Sequence, residues 1–154
     1  MSDRDLARLM QTSQPTITRA RHILKKEEYI RSYTVVPDFA KLGYMIMAFI
    51  FGKLHPHLQS TEAEKLVKQA SEWVNKRPNV IYTADGQGLG GKDIILVSLH
   101  RDYQDYVKFI HSYAFEWGQI VSEFETFIVS LKSELIMKPF DMMHLAYDKQ
   151  PPMQ

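Results

Sequence analysis

Apolar residues recur at helical spacing near the start of the chain and change to strand-and-helix alternation after position 44. In DRDLARLM (3–10), Leu6, Leu9 and Met10 fall at i, i+3 and i+4 behind Ser2 or Asp3 as cap, which predicts a short helix. Gln11-Thr12 is the expected turn. Ser13 is a good N-cap and Pro15 is tolerated in a first turn, so a second helix should run to about Glu27. Its buried stripe would be Ile17, Ala20 and Leu24, with Pro15, Thr18, Arg19, His22 and Lys26 on the opposite face. Tyr29 to Val36 is β-branched and aromatic and ends at Pro37, which predicts one or two short strands, a wing. The segment 37–43 reads as a connector.

From Tyr44 the expected elements are a strand to Leu54, a loop at His55-Pro56-His57 and a helix from Thr61 to Lys76. A strand from Val80 to Ala84, a Gly-rich turn from Asp85 to Lys92 and a strand from Asp93 to His100 follow. A helix from Tyr103 to Phe115 and a strand from Phe124 to Leu131 complete the order βαββαβ. That order is ferredoxin-like, a four-stranded antiparallel sheet with two helices on one face. The fold class is therefore α+β: a helix-turn-helix and wing over 1–36, the connector 37–43, and a ferredoxin-like domain over 44–131. An uncovered apolar sheet face predicts dimerisation through it. The tail 132–154 holds Leu135, Ile136, Met137, Phe140, Met142, Met143, Leu145 and Tyr147, too apolar to hang free, and is expected to dock on the body or a neighbouring subunit.

At 154 residues, 45% hydrophobic and 24% charged, the composition is that of a soluble globular protein of one domain or two small ones. The longest apolar stretch, Met45 to Phe51, is strand-sized, so no membrane-spanning helix and no membrane partner are expected, and the N-terminus lacks the apolar core of a signal peptide. There is no cysteine, which excludes disulfides, thiol nucleophiles and Cys-ligated metals and suits a cytoplasmic protein. The net charge of +1 hides an asymmetry. Residues 1–36 carry seven basic side chains (Arg4, Arg8, Arg19, Arg21, Lys25, Lys26, Arg31) against four acids (Asp3, Asp5, Glu27, Glu28), whereas the body is mildly acidic. A basic end on an acidic body suits contact with a polyanion at that end only.

The residues Leu6-Ala7, then Ser13, Thr16, Arg19, Arg21 and Ile23-Leu24, then Tyr29-Ile30 and Pro37, resemble the helix-turn-helix and wing of the Lrp/AsnC (leucine-responsive regulatory protein) family. The βαββαβ segment, with a Gly-containing turn before an Asp, resembles that family's ligand-sensing domain. The resemblance spans roughly 3–131. It implies a transcription regulator and not an enzyme, with double-stranded DNA as partner, an amino-acid effector and a homodimer or higher homo-oligomer. The family has a further helix ahead of the leading one, and this chain starts after it. Leu6, Leu9, Ile17 and Leu24 then lack a lid, which the apolar tail at 135–147 is expected to supply. Glu28 stands where the family has a glycine before the wing, so the second helix is expected to end without the usual left-handed cap.

If the second helix enters a major groove, its N-terminal residues reach base edges and its flanks hold phosphates. The candidates are Ser13, Gln14, Thr18, Arg19 and His22 for bases, and Arg21, Lys25 and Lys26 for phosphates. Thr16 matches the motif and serves equally as a cap residue. The bland alternative is a solvated charged face. Gly86-Gln87-Gly88-Leu89-Gly90-Gly91 contains G-x-G-x-G, but a strand follows it, so no helix N-terminus would face a pyrophosphate and no dinucleotide cofactor is expected. Gly88, Gly90 and Gly91 can instead close backbone N–H groups on a small ligand, and Asp93 can pair with its amino group; the alternative is a plain hairpin. By the resemblance, family members bind amino acids near this turn, between dimers.

His55, His57, and His100 with Asp102, form H-x-H and H-x-D pairs with no third ligand, so no metal is expected. Acids in Asp102–Tyr106 suit a helix N-terminus. Trp73 and Trp117 are most simply core or interface residues. Two other functions fit the architecture less well. One is a stand-alone sensing and oligomerisation module without DNA binding. The other is an enzyme like siroheme decarboxylase, whose local motifs are not matched.

Overall fold

The computed structural model describes residues 2–33, 35–56 and 63–135. The chain divides into two compact units, Met1–Val36 and a second beginning at Pro37.

The first unit holds helices α1 (Asp3–Leu9) and α2 (Gln14–Lys26). Ser2 and Asp5 close a capping box on α1: the Asp5 amide donates to Ser2 Oγ (3.2 Å) and the Ser2 amide to the Asp5 carboxylate (3.1 Å). α1 ends in a Schellman motif, with Thr12 N–H on Ala7 O at 2.9 Å and Gln11 N–H on Arg8 O at 3.3 Å. That geometry puts Gln11 at φ +50°, in the left-handed region. Ser13 caps α2 by accepting the Thr16 amide at 3.3 Å. At the other end Glu28 sits at φ +59°, its N–H on Lys25 O (3.1 Å) and the Ile30 N–H on Leu24 O (3.0 Å). The left-handed cap expected to be lost with the glycine is therefore made by Glu28 itself, because the exposed Leu24 and Lys25 carbonyls still need donors.

Two other expectations are corrected. In α2 only Ile17 is buried; Ala20 is exposed and Leu24 is 40% exposed. Helices of 7 and 13 residues share a single line of contact, too narrow to cover a whole stripe. The expected wing is absent: no strand forms in the described residues 29–33 and 35–36. β-rich composition makes a strand only where a second backbone offers a ladder. Here Tyr33 is used instead as a platform under the Lys25 ammonium (5.0 Å) and the Arg21 guanidinium (5.7 Å).

The second unit is a four-stranded sheet of β1 (Ile46–Leu54), β2 (Val80–Gly88), β3 (Lys92–His100) and β4 (Val121–Ser130), with helices α3 (Ala63–Asn75) and α4 (Tyr103–Trp117). The order is β2-β3-β1-β4 and all pairings are antiparallel, the ferredoxin-like arrangement. Ala48, Ile50 and Leu96 face Trp73 of α3 and Tyr106 and Tyr113 of α4 in the main core. The other face carries Met47, Val97 and Leu99, and Phe39, Tyr44 and Leu131 pack against them. That face is thus partly covered by the segment before β1, while Tyr82 and Phe127 on it stay 57% and 64% exposed. The expected Gly-rich turn at 85–92 is shorter in fact. β2 continues through Gly88 past an irregular register between Asp85 and Gly88, and Leu89–Gly91 alone make the turn. A bulge absorbs the glycines without ending the ladder. Residues 57–62 and the tail from 136 lie outside the described residues, so His57 and the proposed lid at 135–147 do too, apart from the exposed Leu135.

His100 is fully buried between β3 and α4, with Nε2 at 2.8 Å from Ser98 Oγ and its ring against Tyr106 and Phe109. Burial holds its imidazole below the ordinary value of 6.5, and Asp105, 3.8 Å from Nδ1, offsets only part of this. The unfolded chain therefore takes up the proton first. Stability should be complete above pH 6.5 and fall as the pH drops below it, by up to about 1.4 kcal/mol per pH unit. Thermal melts between pH 7.5 and 5 check this, and His100→Gln should flatten the slope. In the first unit, Glu28→Gly should relieve about 1 kcal/mol of left-handed strain and slow hydrogen exchange at the Ile30 amide.

Candidate nucleic-acid interface and ligand-binding turn

The exposed side of α2 begins at its capped end. Gln14, Pro15, Thr18, Arg19 and His22 line one shallow concavity there, and Lys25 and Lys26 follow in the last turn. Ser13 and Thr16 are occupied by the cap, their hydroxyls 2.8 Å apart. Asp3 of α1 holds two residues of α2. Thr18 Oγ1 donates to Asp3 Oδ2 at 2.6 Å, and Arg21 Nη1 lies 2.6 Å from Asp3 Oδ1. One carboxylate thus sets the angle at which α2 leaves α1, and it turns Arg21 and the Thr18 hydroxyl inward. Arg19, His22 and Lys26 are exposed on the outer side.

The turn between β2 and β3 places Gly90 at φ +63° and Gly91 at φ +71°, conformations that glycine alone adopts freely. Gly88 ends β2, and no atom stands within 4 Å of a Cβ built on Gly88 or Gly90, so the turn faces open space. Asp93 Oδ2 accepts the Leu54 amide at 2.8 Å, which ties the start of β3 to the end of β1. Beside the turn, Lys92 is 5% exposed, with Nζ 2.6 Å from Glu123 and 3.2 Å from Glu125 of β4. The hydrogen bond to Glu123 raises the Lys92 ammonium above its usual range, and the same bond holds the Glu123 carboxyl below its own. Lys53 of β1 comes within 3.9 Å of the Gly91 Cβ position.

No family model matches the chain. An uncharacterised HTH-type transcriptional regulator of Pyrococcus abyssi is 31% identical over 142 residues, covering 91% of this chain and 84% of the relative. The fold matches an AsnC family transcriptional regulator from Agrobacterium tumefaciens at a TM-score of 0.70, with 18% identity over 95% of this chain and 88% of that one. It also matches a transcriptional regulator of Neisseria meningitidis solved in complex with L-Met, at a TM-score of 0.69 and 16% identity, covering 94% and 88%. The chain belongs with the HTH-type transcriptional regulators, and its fold is that of the AsnC family regulators.

The helix-turn-helix residues singled out in the sequence do not all share one surface. Gln14, Arg19 and His22 come together in the concavity of α2, Thr18 lines it while its hydroxyl is held by Asp3, Ser13 and Thr16 serve the cap, Arg21 pairs with Asp3, and Lys25 and Lys26 follow in the last turn. Of the four residues singled out here, Gly90 and Gly91 lie in the β2–β3 turn, while Gly88 ends β2 and Asp93 stands second in β3. The H-x-D pair does not come together as ligands, since Asp102 caps α4 by accepting the Asp105 amide at 2.8 Å and His100 is buried on Ser98. Sequence reasoning missed the Asp3 clamp and the Lys92–Glu123–Glu125 group. A lysine two residues before the apolar run Ile94–Val97 was the available signal for the second; the first joins residues 15 and 18 positions apart and had none.

Asp3→Ala should lower the stability of the first unit by about 1 kcal/mol, a modest figure because the Arg21 pair is partly exposed. Arg19→Ala should leave stability within about 0.5 kcal/mol of the parent. Urea unfolding followed by circular dichroism distinguishes the two.

Proposed function

We propose that this regulator reads duplex DNA with the exposed face of α2 and that it acts in response to a small amino acid held at the β2–β3 turn. The observation that carries the reading is the clustering of Gln14, Arg19 and His22 at the capped end of the second helix of a helix-turn-helix, with Lys25 and Lys26 behind them. The N-terminal half of such a helix reaches base edges, where the arginine fork matches the two guanine acceptors, and lysines further along hold phosphates. A dimer formed across the sheet face that bears Tyr82 and Phe127 would present two such helices to half-sites about 34 Å apart. The effector changes that spacing or the assembly state. Gly90 and Gly91 free the backbone of the turn to close on a ligand, and the neighbouring Lys53 offers a partner for its carboxylate. The L-Met complex of the Neisseria relative makes methionine the first amino acid to try.

A regulator rather than an enzyme also fits the burial of a triad-like group. Ser98, His100 and Asp105 are in line, but Ser98 and His100 have no exposed surface and no substrate could reach them. No helix among the described residues is long and apolar enough to cross a membrane.

Selection from random duplexes across a salt series should enrich a two-fold symmetric site. Arg19→Ala should lose about 10- to 100-fold in affinity for that site and relax the choice of one base pair. Lys26→Ala should weaken all sequences evenly and reduce the salt slope by about one. A folded protein that binds no duplex at low salt would exclude the DNA-reading role and leave the stand-alone sensing module. Titration with L-Met and a panel of other amino acids should shift DNA affinity or sedimentation; no shift with any of them would remove the effector half.

A further inference from the structure

A cavity of about 680 Å³ lies within the second unit, between α3 and the sheet. On its walls α3 sets the small Ala70 and Ser71 beside the larger Leu66 and Val74, and β2 contributes Thr83, Ala84 and Gly86. α3 cannot sink to close the gap, because its last turn is fastened to α4. Trp73 Nε1 donates to Glu116 Oε2 at 2.6 Å and Arg77 Nη2 to Glu116 Oε1 at 2.6 Å, while the Arg77 guanidinium lies 3.7 Å over the Trp73 ring. The Trp73 ring is further wedged against Phe109, Tyr113 and Trp117 at centroid distances of 5.7–5.9 Å.

The walls specify a ligand class. The inner surface is aromatic and aliphatic, with Trp73, Tyr113, Trp117 and Leu96, and the volume is that of a small-molecule site. Asp85 and Asp93 also line the cavity, and none of its described lining residues is Lys, Arg or His. One oxygen of Asp93 is taken by the Leu54 amide, which leaves the other. Trp117 Nε1 is buried, and the described residues give it no hydrogen-bond acceptor. An anion entering here meets two carboxylates and no counter-charge. A cation meets both carboxylates and three aromatic rings.

We propose that this cavity is a second ligand site, separate from the turn, and that it takes a compact apolar amine whose ring or chain packs on Trp73, Tyr113 and Trp117 and whose ammonium group pairs with Asp85 and Asp93. The site does not depend on the DNA-reading role, since it lies wholly within the second unit.

The chain has two tryptophans and both line the cavity, so intrinsic fluorescence reports its occupancy directly. The full chain is titrated with 4-phenylbutylamine, 4-phenylbutan-1-ol and 4-phenylbutyrate, which share a body and differ in charge. The amine should give a saturable change at about tenfold lower concentration than the alcohol, and the carboxylate should give none. Asp85→Asn with Asp93→Asn should bring the amine to the level of the alcohol. Ala70→Phe should intrude on the space and weaken the saturable change, with circular dichroism confirming the fold. The Asp substitutions keep the test decisive even if that bulkier side chain unfolds the protein. Equal responses to the three probes, no saturable response to the amine, or an amine preference that survives both Asn substitutions would overturn the assignment.

Discussion

Glu116 accepts hydrogen bonds from Ser112, Trp73 and Arg77, and through them it holds the end of α3 against α4. The Ser112 hydroxyl, the Trp73 indole and the Arg77 guanidinium together keep its carboxyl below the usual range, so it remains a charged acceptor at neutral pH. Much of the second unit follows from this contact. With α3 tied to its neighbour helix, the indole of Trp73 becomes the hub of an aromatic group within the main core. The space under α3 stays open, and β2 borders a cavity rather than a filled layer.

The first unit depends in the same way on a carboxylate at a helix junction. Asp3 draws Thr18 and Arg21 of α2 toward α1, and that choice of partners decides which side of α2 stays outward. Two residues with side chains, Gln11 and Glu28, take left-handed conformations at the ends of α1 and α2. Each accepts about 1 kcal/mol of local strain so that the last carbonyls of its helix find donors. The unit buries only Ala7 and Ile17 among its described residues, while Leu9, Met10 and Ile23 stay at least half exposed. Local hydrogen bonding therefore carries more of its order than a core does.

The two units meet different demands. A reading helix must offer polar groups outward at fixed spacing, which capping and the Asp3 clamp accomplish with few residues. A sensing domain must hold a rigid sheet beside a yielding turn. β3 supplies the first, paired along its length with both β1 and β2, and Gly90 and Gly91 supply the second.

Helix positions, strand order and the capped start of α2 were legible in the sequence, because each rests on local periodicity and on a side chain three residues from its backbone partner. Ser13, the acids at the start of α4 and the apolar runs of β1 and β3 announced themselves in that way. The missing wing, the early start of β4 and the extension of β2 to Gly88 were not legible, since a strand exists only where another backbone pairs with it. Arg21 and Arg19 look alike in sequence, two residues apart in the same basic helix. Only the tertiary structure separates them, by bringing Asp3 to one and leaving the other outward. The same holds for Trp73 and Trp117, which read as plain core residues until the contact between α3 and α4 placed them around a cavity. The sequence by itself determined which segments form helices and the βαββαβ order of the second unit. Which charges are tied, which glycines face open space and where the core remains unfilled were decided by contacts between residues far apart in the chain, whose geometry no local pattern encodes.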